Sequence, residues 1–171
     1  ACYTLYDMTI IPLVVALKPL HDLYYVKRIV VSTYQSVSGA GKDPMDELLS
    51  QTQEFFQNKK LESKYFTKQI AFNAIPHIDS FLEDGYTKEE HKTNDEVKKI
   101  LDNKINITST CVRIPVLVSH SLSVNVEFNK KYNLDEIKNV LSTSPGCKLV
   151  DEHKDGGYMT PAEAENKFET F

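Results

Sequence analysis

The feature that most constrains this fold is a pair of adjacent strand-like runs, Ile105 to Ser119 and Leu122 to Phe128. The second alternates apolar and polar residues through Leu122, Val124, Val126 and Phe128, the period of two that marks a strand with one buried face. Two long strands in succession do not fit a strict strand-helix-strand repeat. With helices elsewhere in the chain they fit an α+β domain: a mixed, largely antiparallel sheet with helices on one face. The other face is expected to carry an apolar alternation, including Leu122, Val124 and Val126, too extensive to leave in water and therefore covered by a second subunit.

The remaining elements follow from local chemistry. Pro12 suits the first turn of a helix running to about Tyr25, with Leu13, Leu17 and Leu20 on its inner side. The β-branched stretch Arg28 to Gln35 reads as a strand, broken by Gly39-Ala40-Gly41. Asp43 as N-cap and Pro44 at the first helical position open a helix to about Asn58, with Met45, Leu48, Leu49, Thr52 and Phe56 as its apolar stripe. Gln69 to His77 reads as extended, because Ile75 precedes a proline and avoids the helical region. Thr87 and Glu90 have the spacing of a capping box for a helix to about Asn103. Asn133 caps a last helix to about Leu141, and after a Pro145-Gly146 turn Cys147 to Val150 reads as a short strand.

A chain of 171 residues is the length of one domain and buries a core without disulfides or metal. A net charge of -4, with basic residues scattered among acidic ones, gives no footprint for nucleic acid. The three cysteines, Cys2, Cys111 and Cys147, lack metal or disulfide spacing and fit a reduced, cytoplasmic setting. The apolar run from Ile10 to Leu17 is too short to span a bilayer, so no membrane partner is expected.

Candidate functional residues gather in three places. Arg113 and His120 bracket an apolar run, joining a fork suited to carboxylates with a proton-transfer group; a surface arginine and a capped strand-end histidine are the plainer reading. Gln35 ends a strand before small residues, so its amide either reaches into a pocket or is satisfied by a turn. Glu89 and Lys92 share one face of a capped helix, as a pocket wall or as a solvated pair.

Three motifs in order, Val30-Val31-Ser32-Thr33-Tyr34-Gln35-Ser36-Val37-Ser38-Gly39-Ala40-Gly41, Gly85-Tyr86-Thr87-Lys88-Glu89-Glu90-His91-Lys92 and Arg113-Ile-Pro-Val-Leu-Val-Ser-His120, together with Thr160-Pro-Ala-Glu-Ala164, resemble the catalytic and dimerisation domain of aspartate-semialdehyde dehydrogenase from about Ile10 to Ala164. The resemblance implies a glyceraldehyde-3-phosphate-dehydrogenase-like C-terminal domain spanning residues 10–171, preceded by a leader over 1–9 that is foreign to the domain or disordered. It implies an NADP-dependent parent enzyme that reduces aspartyl phosphate to aspartate semialdehyde in lysine, methionine and threonine biosynthesis, acting as a homodimer or tetramer. By the same carry-over Gln35 positions substrate beside the nucleophile, Glu89 meets the substrate amine, Lys92 its phosphate or carboxylate, Arg113 grips the α-carboxylate, and His120 is the general base. Cys111 matches a packed, inert thiol.

Two departures qualify the expectation. The family's nucleophilic cysteine, in an Asn-Cys-Ser/Thr-Thr motif, falls at Asp7-Met8-Thr9-Ile10, where Met8 offers a thioether and no thiolate. No Gly-x-Gly-x-x-Gly follows a strand, so the nucleotide-binding domain is expected to be absent from this chain and the chain alone inactive. A non-catalytic paralogue or interaction module of the same family is the alternative.

Overall fold

The computed structural model describes residues 8–171. Five α-helices and three strands follow in the order α1 (Ile10–Tyr24), β1 (Val26–Gln35), α2 (Lys42–Phe56), α3 (Lys88–Ile100), β2 (Asn106–Arg113), β3 (Ser121–Phe128), α4 (Leu134–Thr143) and α5 (Pro161–Ala164). The sheet order is β2-β1-β3, with β1 parallel to β2 and antiparallel to β3. This is the expected α+β class with a mixed sheet.

Register decides which side chains see water. In the antiparallel pair Ile29 faces Val126, Val31 faces Val124 and Thr33 faces Leu122, and directly opposed residues lie on the same side of a sheet. That side meets α1 and α3: Ile10, Leu13, Leu17, Val26, Ile29, Val31, Val97 and Ile105 form a buried cluster on which Leu122, Val126 and Phe128 pack. The expectation that Leu122, Val124 and Val126 line the open face is therefore corrected. They belong to the helix-covered face, Val124 being partly exposed because β3 is an edge strand. The open face instead presents Ser32 and Tyr34 of β1, Thr108 and Thr110 of β2, and Ser123 and Asn125 of β3. Val30 and Val112 interrupt these hydroxyls and amides on the same face.

The strand expected from Ile105 to Ser119 ends at Arg113. Beyond it the chain runs alongside the exit from β1, with Ile114 N–H donating to Gln35 O, Val37 N–H to Val116 O and Ser38 N–H to Leu117 O. Ser119 then adopts a φ of 68° and turns the chain back into β3. Alternation cannot reveal this break, because Val116 and Val118 continue the β-branched pattern through it.

The apolar stripe expected on α2 is also corrected. Its buried residues are Pro44, Glu47, Leu48 and Gln51, while Leu49 and Phe56 are exposed. The N-cap is Gly41, and Asp43 lies in the first turn. The reason lies in the long irregular connection that follows, whose backbone groups need partners. Glu47 Oε2 accepts from the N–H groups of Lys64 and Tyr65, and Gln51 Oε1 accepts from those of Ile70 and Ala71 at 2.9 and 3.1 Å. Two polar side chains thus face inward and hold the connection against a second core of Val37, Leu48, Ile70, Ala71 and Ile75.

The extended segment around Ile75 adds one antiparallel bridge to Arg113, covering the outer edge of β2. The capping box of α3 is present, with Thr87 as N-cap and Glu90 closing it. Asn133 caps α4 by accepting from Asp135 and Glu136 N–H. The short strand expected at Cys147–Val150 is reduced to a single bridge from Cys147 to Thr170. Among the described residues no helix is long and apolar enough to cross a membrane.

Candidate active site

Gln35 and Arg113 are the last residues of two parallel strands and are register partners. Both side chains turn to the helix-covered side, where they are 3% and 6% exposed. The C-terminal end of parallel strands is where open α/β sheets bind ligands, because the chain leaves the sheet there and backbone groups become available. Both cores flank this point: Val31 lies in the first and Val37 in the second.

The N-terminus of α3 is fixed against the same edge. Glu90, which closes the capping box through Oε2, uses Oε1 to accept from Cys111 N–H at 3.2 Å, and Ser109 Oγ donates to the carbonyl of Glu90. These bonds set the preceding residue, Glu89, so that its Oε1 accepts from Gln35 Nε2 at 2.9 Å. The Gln35 amide also donates to Thr33 Oγ1 at 3.3 Å. Lys92 follows one turn later on α3 and is exposed.

Arg113 and His120 reach the site from the two sides of Ser36. Arg113 Nη1 donates to the Ser36 carbonyl at 2.7 Å, and Ser36 N–H donates to His120 Nδ1 at 3.0 Å. The bend from Ile114 to Ser119 brings the imidazole back toward the guanidinium. Gly39 lies between them. A Cβ on Gly39 would stand 3.1 Å from Arg113 Nη1 and 3.3 Å from His120 Cε1. This glycine has no need of a positive φ; what the site needs there is space, which any side chain would fill.

Four of the five residues singled out in the sequence thus come together through hydrogen bonds: Gln35 with Glu89, and Arg113 with His120 through Ser36, the two pairs joined where Gln35 and Arg113 end adjacent strands. Lys92 shares the α3 face with Glu89. Met8 lies just ahead of α1 and is 71% exposed; Asp7 lies outside the described residues. Ser36 and Gly39 were missed as site residues, although both sit in a run of small residues after a strand, the signal for a close backbone approach. Cys111 is buried beneath the site, 1% exposed, and burial pushes its thiol up to about 11, so it is inert at neutral pH. Burial also raises the Cys147 thiol.

Two surface clefts lie elsewhere, one lined by Asp43, Asp46, Glu47 and Tyr65, the other by Arg28, Glu127 and Lys130 with their neighbours. No group of three or more His, Cys, Asp or Glu among the described residues is placed to hold a metal ion.

The chain as a whole has counterparts among known proteins. The family model described as semialdehyde dehydrogenase, dimerisation domain, matches residues 17–170. The chain belongs to that family. Aspartate-semialdehyde dehydrogenase of Aquifex aeolicus is 46% identical over 163 residues, which is 94% of this chain and 48% of that protein. The enzyme of Rickettsia bellii is 46% identical over 153 residues, 90% of this chain and 45% of that protein. Among solved structures, aspartate semialdehyde dehydrogenase II of Vibrio cholerae, complexed with ASA, superposes with a TM-score of 0.90 at 39% identity, covering 95% of this chain and 48% of that one. The chain spans about half the length of the curated relatives it matches.

Proposed function

We propose that this chain is the substrate-binding and dimerising half of an aspartate-semialdehyde dehydrogenase. The whole protein would reduce aspartyl phosphate to aspartate semialdehyde with NADPH, in the cytoplasm, on the route to lysine, methionine and threonine. The observation that carries this reading is the convergence of Arg113 and His120 on Ser36, with the space above Gly39 kept open between them. An amino acid bearing a reactive carbonyl needs its α-carboxylate held at a fixed distance from the reacting carbon. Arg113 supplies the carboxylate clamp, and its anchored Nη1 limits the freedom of the guanidinium. Glu89, tied to Gln35, takes the substrate amine; Lys92 takes the phosphate; Gln35 and His120 attend the reacting carbonyl.

Neither the space above Gly39 nor the N-terminus of α2 fits the pyrophosphate of NADP. Gly39 opens toward Arg113 and His120, and Asp43 puts a carboxylate in the first turn of α2, where a pyrophosphate would otherwise sit. The cofactor is therefore assigned to the part of the protein outside this chain.

The open sheet face supports association with a second copy through hydrogen-bonding side chains such as Ser32, Tyr34 and Thr110. A homodimer is the assembly proposed, with a dimer of dimers as its extension. Light scattering at tens of micromolar should give a dimer mass that falls to the monomer for Tyr34→Arg.

Activity tests the catalytic reading. The full-length protein should show phosphate-dependent reduction of NADP by aspartate semialdehyde only when position 8 carries cysteine, as in Met8→Cys, and the 171-residue chain alone should stay inactive. No turnover in the Met8→Cys protein would make the chain a non-catalytic relative. Full turnover with Met8 in place would show that the nucleophile lies elsewhere.

A further inference from the structure

Glu90 serves two elements with one carboxylate. Its Oε2 accepts from Thr87 N–H at 2.8 Å and from Thr87 Oγ1 at 3.1 Å, which closes the cap of α3, while Oε1 accepts from Cys111 N–H at 3.2 Å. Cys111 lies in β2, an end strand of the sheet. Along the outer edge of β2, Arg113 exchanges backbone hydrogen bonds with Ile75; two residues earlier, where the backbone faces that edge again, the partner is the Glu90 side chain. Ser109 adds another tie, its Oγ donating to the Glu90 carbonyl at 3.0 Å. One residue thus binds the first turn of α3 to β2 through both its side chain and its backbone. Glu89 immediately precedes it and holds Gln35 Nε2 at 2.9 Å, so the same ties fix where a carboxylate stands beside the strand ends.

We propose that Glu90 is a positioning residue for substrate specificity: by pinning α3 to the outer edge of β2 it sets Glu89 at a fixed distance from Arg113, so that a substrate must carry an amine beside its carboxylate. A site built around a particular polar group rejects the analogue that lacks it, but only if the site cannot shift to compensate. Glu90 supplies that rigidity. The proposal rests on the assignment of Glu89 to the amine and Arg113 to the carboxylate, whereas the bridge between Thr87 and Cys111 does not. The bridge needs a carboxylate, because both of its oxygens accept and an amide has only one oxygen. Glutamine at this position still closes a capping box. Its single oxygen goes to Thr87, which offers two donors, and its NH2 group then faces the N–H of Cys111, donor against donor.

Glu90→Gln therefore keeps the helix cap and breaks the tie to β2, which separates positioning from mere stabilisation of α3. In the 171-residue chain, a scalar coupling across the hydrogen bond between the Cys111 amide nitrogen and the Glu90 carboxyl carbon tests the bridge without any variant. Its absence would overturn the proposal. Dissociation constants are then measured for aspartate semialdehyde and for succinate semialdehyde, the same acid aldehyde without the amine. The unmodified chain should prefer the amine-bearing ligand by at least about tenfold, and Glu90→Gln should reduce that preference to about threefold or less. The change should come from weaker binding of aspartate semialdehyde, with succinate semialdehyde held within about twofold. A helix cap alone would leave the ratio where it was. A preference that survives Glu90→Gln, with the Cys111 amide resonance shifted to show that the tie is broken, would overturn the positioning role and leave the substrate reading intact. An unmodified chain that binds the two aldehydes alike would overturn both.

Discussion

Arg113 and His120 share one backbone residue: the guanidinium donates to the carbonyl of Ser36, and the amide of Ser36 donates to the imidazole. The two side chains come from opposite ends of a segment that leaves the sheet and returns, so their meeting depends on the bend between them. The consequences can be measured.

Gly39 is the first test, because it separates the two groups by lacking a side chain. Gly39→Ala sets a Cβ 3.1 Å from Arg113 Nη1 and 3.3 Å from His120 Cε1. Overpacking of this kind costs about 1–3 kcal/mol. Chemical denaturation should show that loss, and ligand-induced shifts at Arg113 and His120 should disappear. Undiminished ligand binding would mean that the space above Gly39 is not the cradle.

Ser119 makes the turn that returns His120 to the site, with a φ of 68° that costs an L-residue about 1–2 kcal/mol. Ser119→Gly should relieve most of this and raise stability by about 0.5–1 kcal/mol after the extra flexibility of the unfolded chain is offset. An urea midpoint shifted upward with an unchanged slope is the expected result; a lower midpoint would show that the serine side chain contributes more than the turn costs.

Gln51 replaces secondary structure for the connection after α2. In Gln51→Leu the buried amides of Ile70 and Ala71 lose their acceptor, at about 1–3 kcal/mol for each unsatisfied group. Leu49→Ala, on the exposed side of the same helix, should change stability by less than about 0.5 kcal/mol. The reverse order would restore the apolar stripe expected from sequence.

Cys111 sets an alkaline limit. Burial raises its thiol to about 11 from an ordinary value of 9.0, so the folded chain keeps the proton while the unfolded chain loses it. Stability from this thiol is fully present below pH 9 and is lost as pH rises toward 11, by on the order of 2 kcal/mol. The slope of stability against pH in that range should flatten in Cys111→Ala. An identical slope would place the alkaline loss on other groups.

Much of this was legible in the sequence where local chemistry dominates. The capping box at Thr87 and Glu90, the cap at Asn133 and the inner leucines of α1 depend on neighbours a few positions away, and they stand as read. Tertiary partners decided the rest. Glu47 and Gln51 point inward because a distant irregular segment needs their oxygens, which no pattern within α2 announces. Leu122 and Val126 alternate as they should, but alternation states that one face is buried and not which one. Arg113, His120, Gln35 and Glu89 were legible as members of motifs, whereas Ser36 acts through its backbone and Gly39 through its missing side chain, contributions that residue type alone does not express.

Whether Arg113, His120, Gln35 and Glu89 form one substrate site is tested most directly by ligand titration of the chain. Amide and side-chain resonances of the 15N-labelled chain, followed as aspartate semialdehyde is added with inorganic phosphate, should shift at Ser36, Gly39, Arg113 and His120. Arg113→Lys should abolish those shifts, because a single ammonium cannot reproduce a bidentate carboxylate clamp. Shifts confined to the clefts lined by Asp43 and Tyr65 or by Arg28 and Lys130, or shifts at the proposed site that survive Arg113→Lys undiminished, would contradict the account.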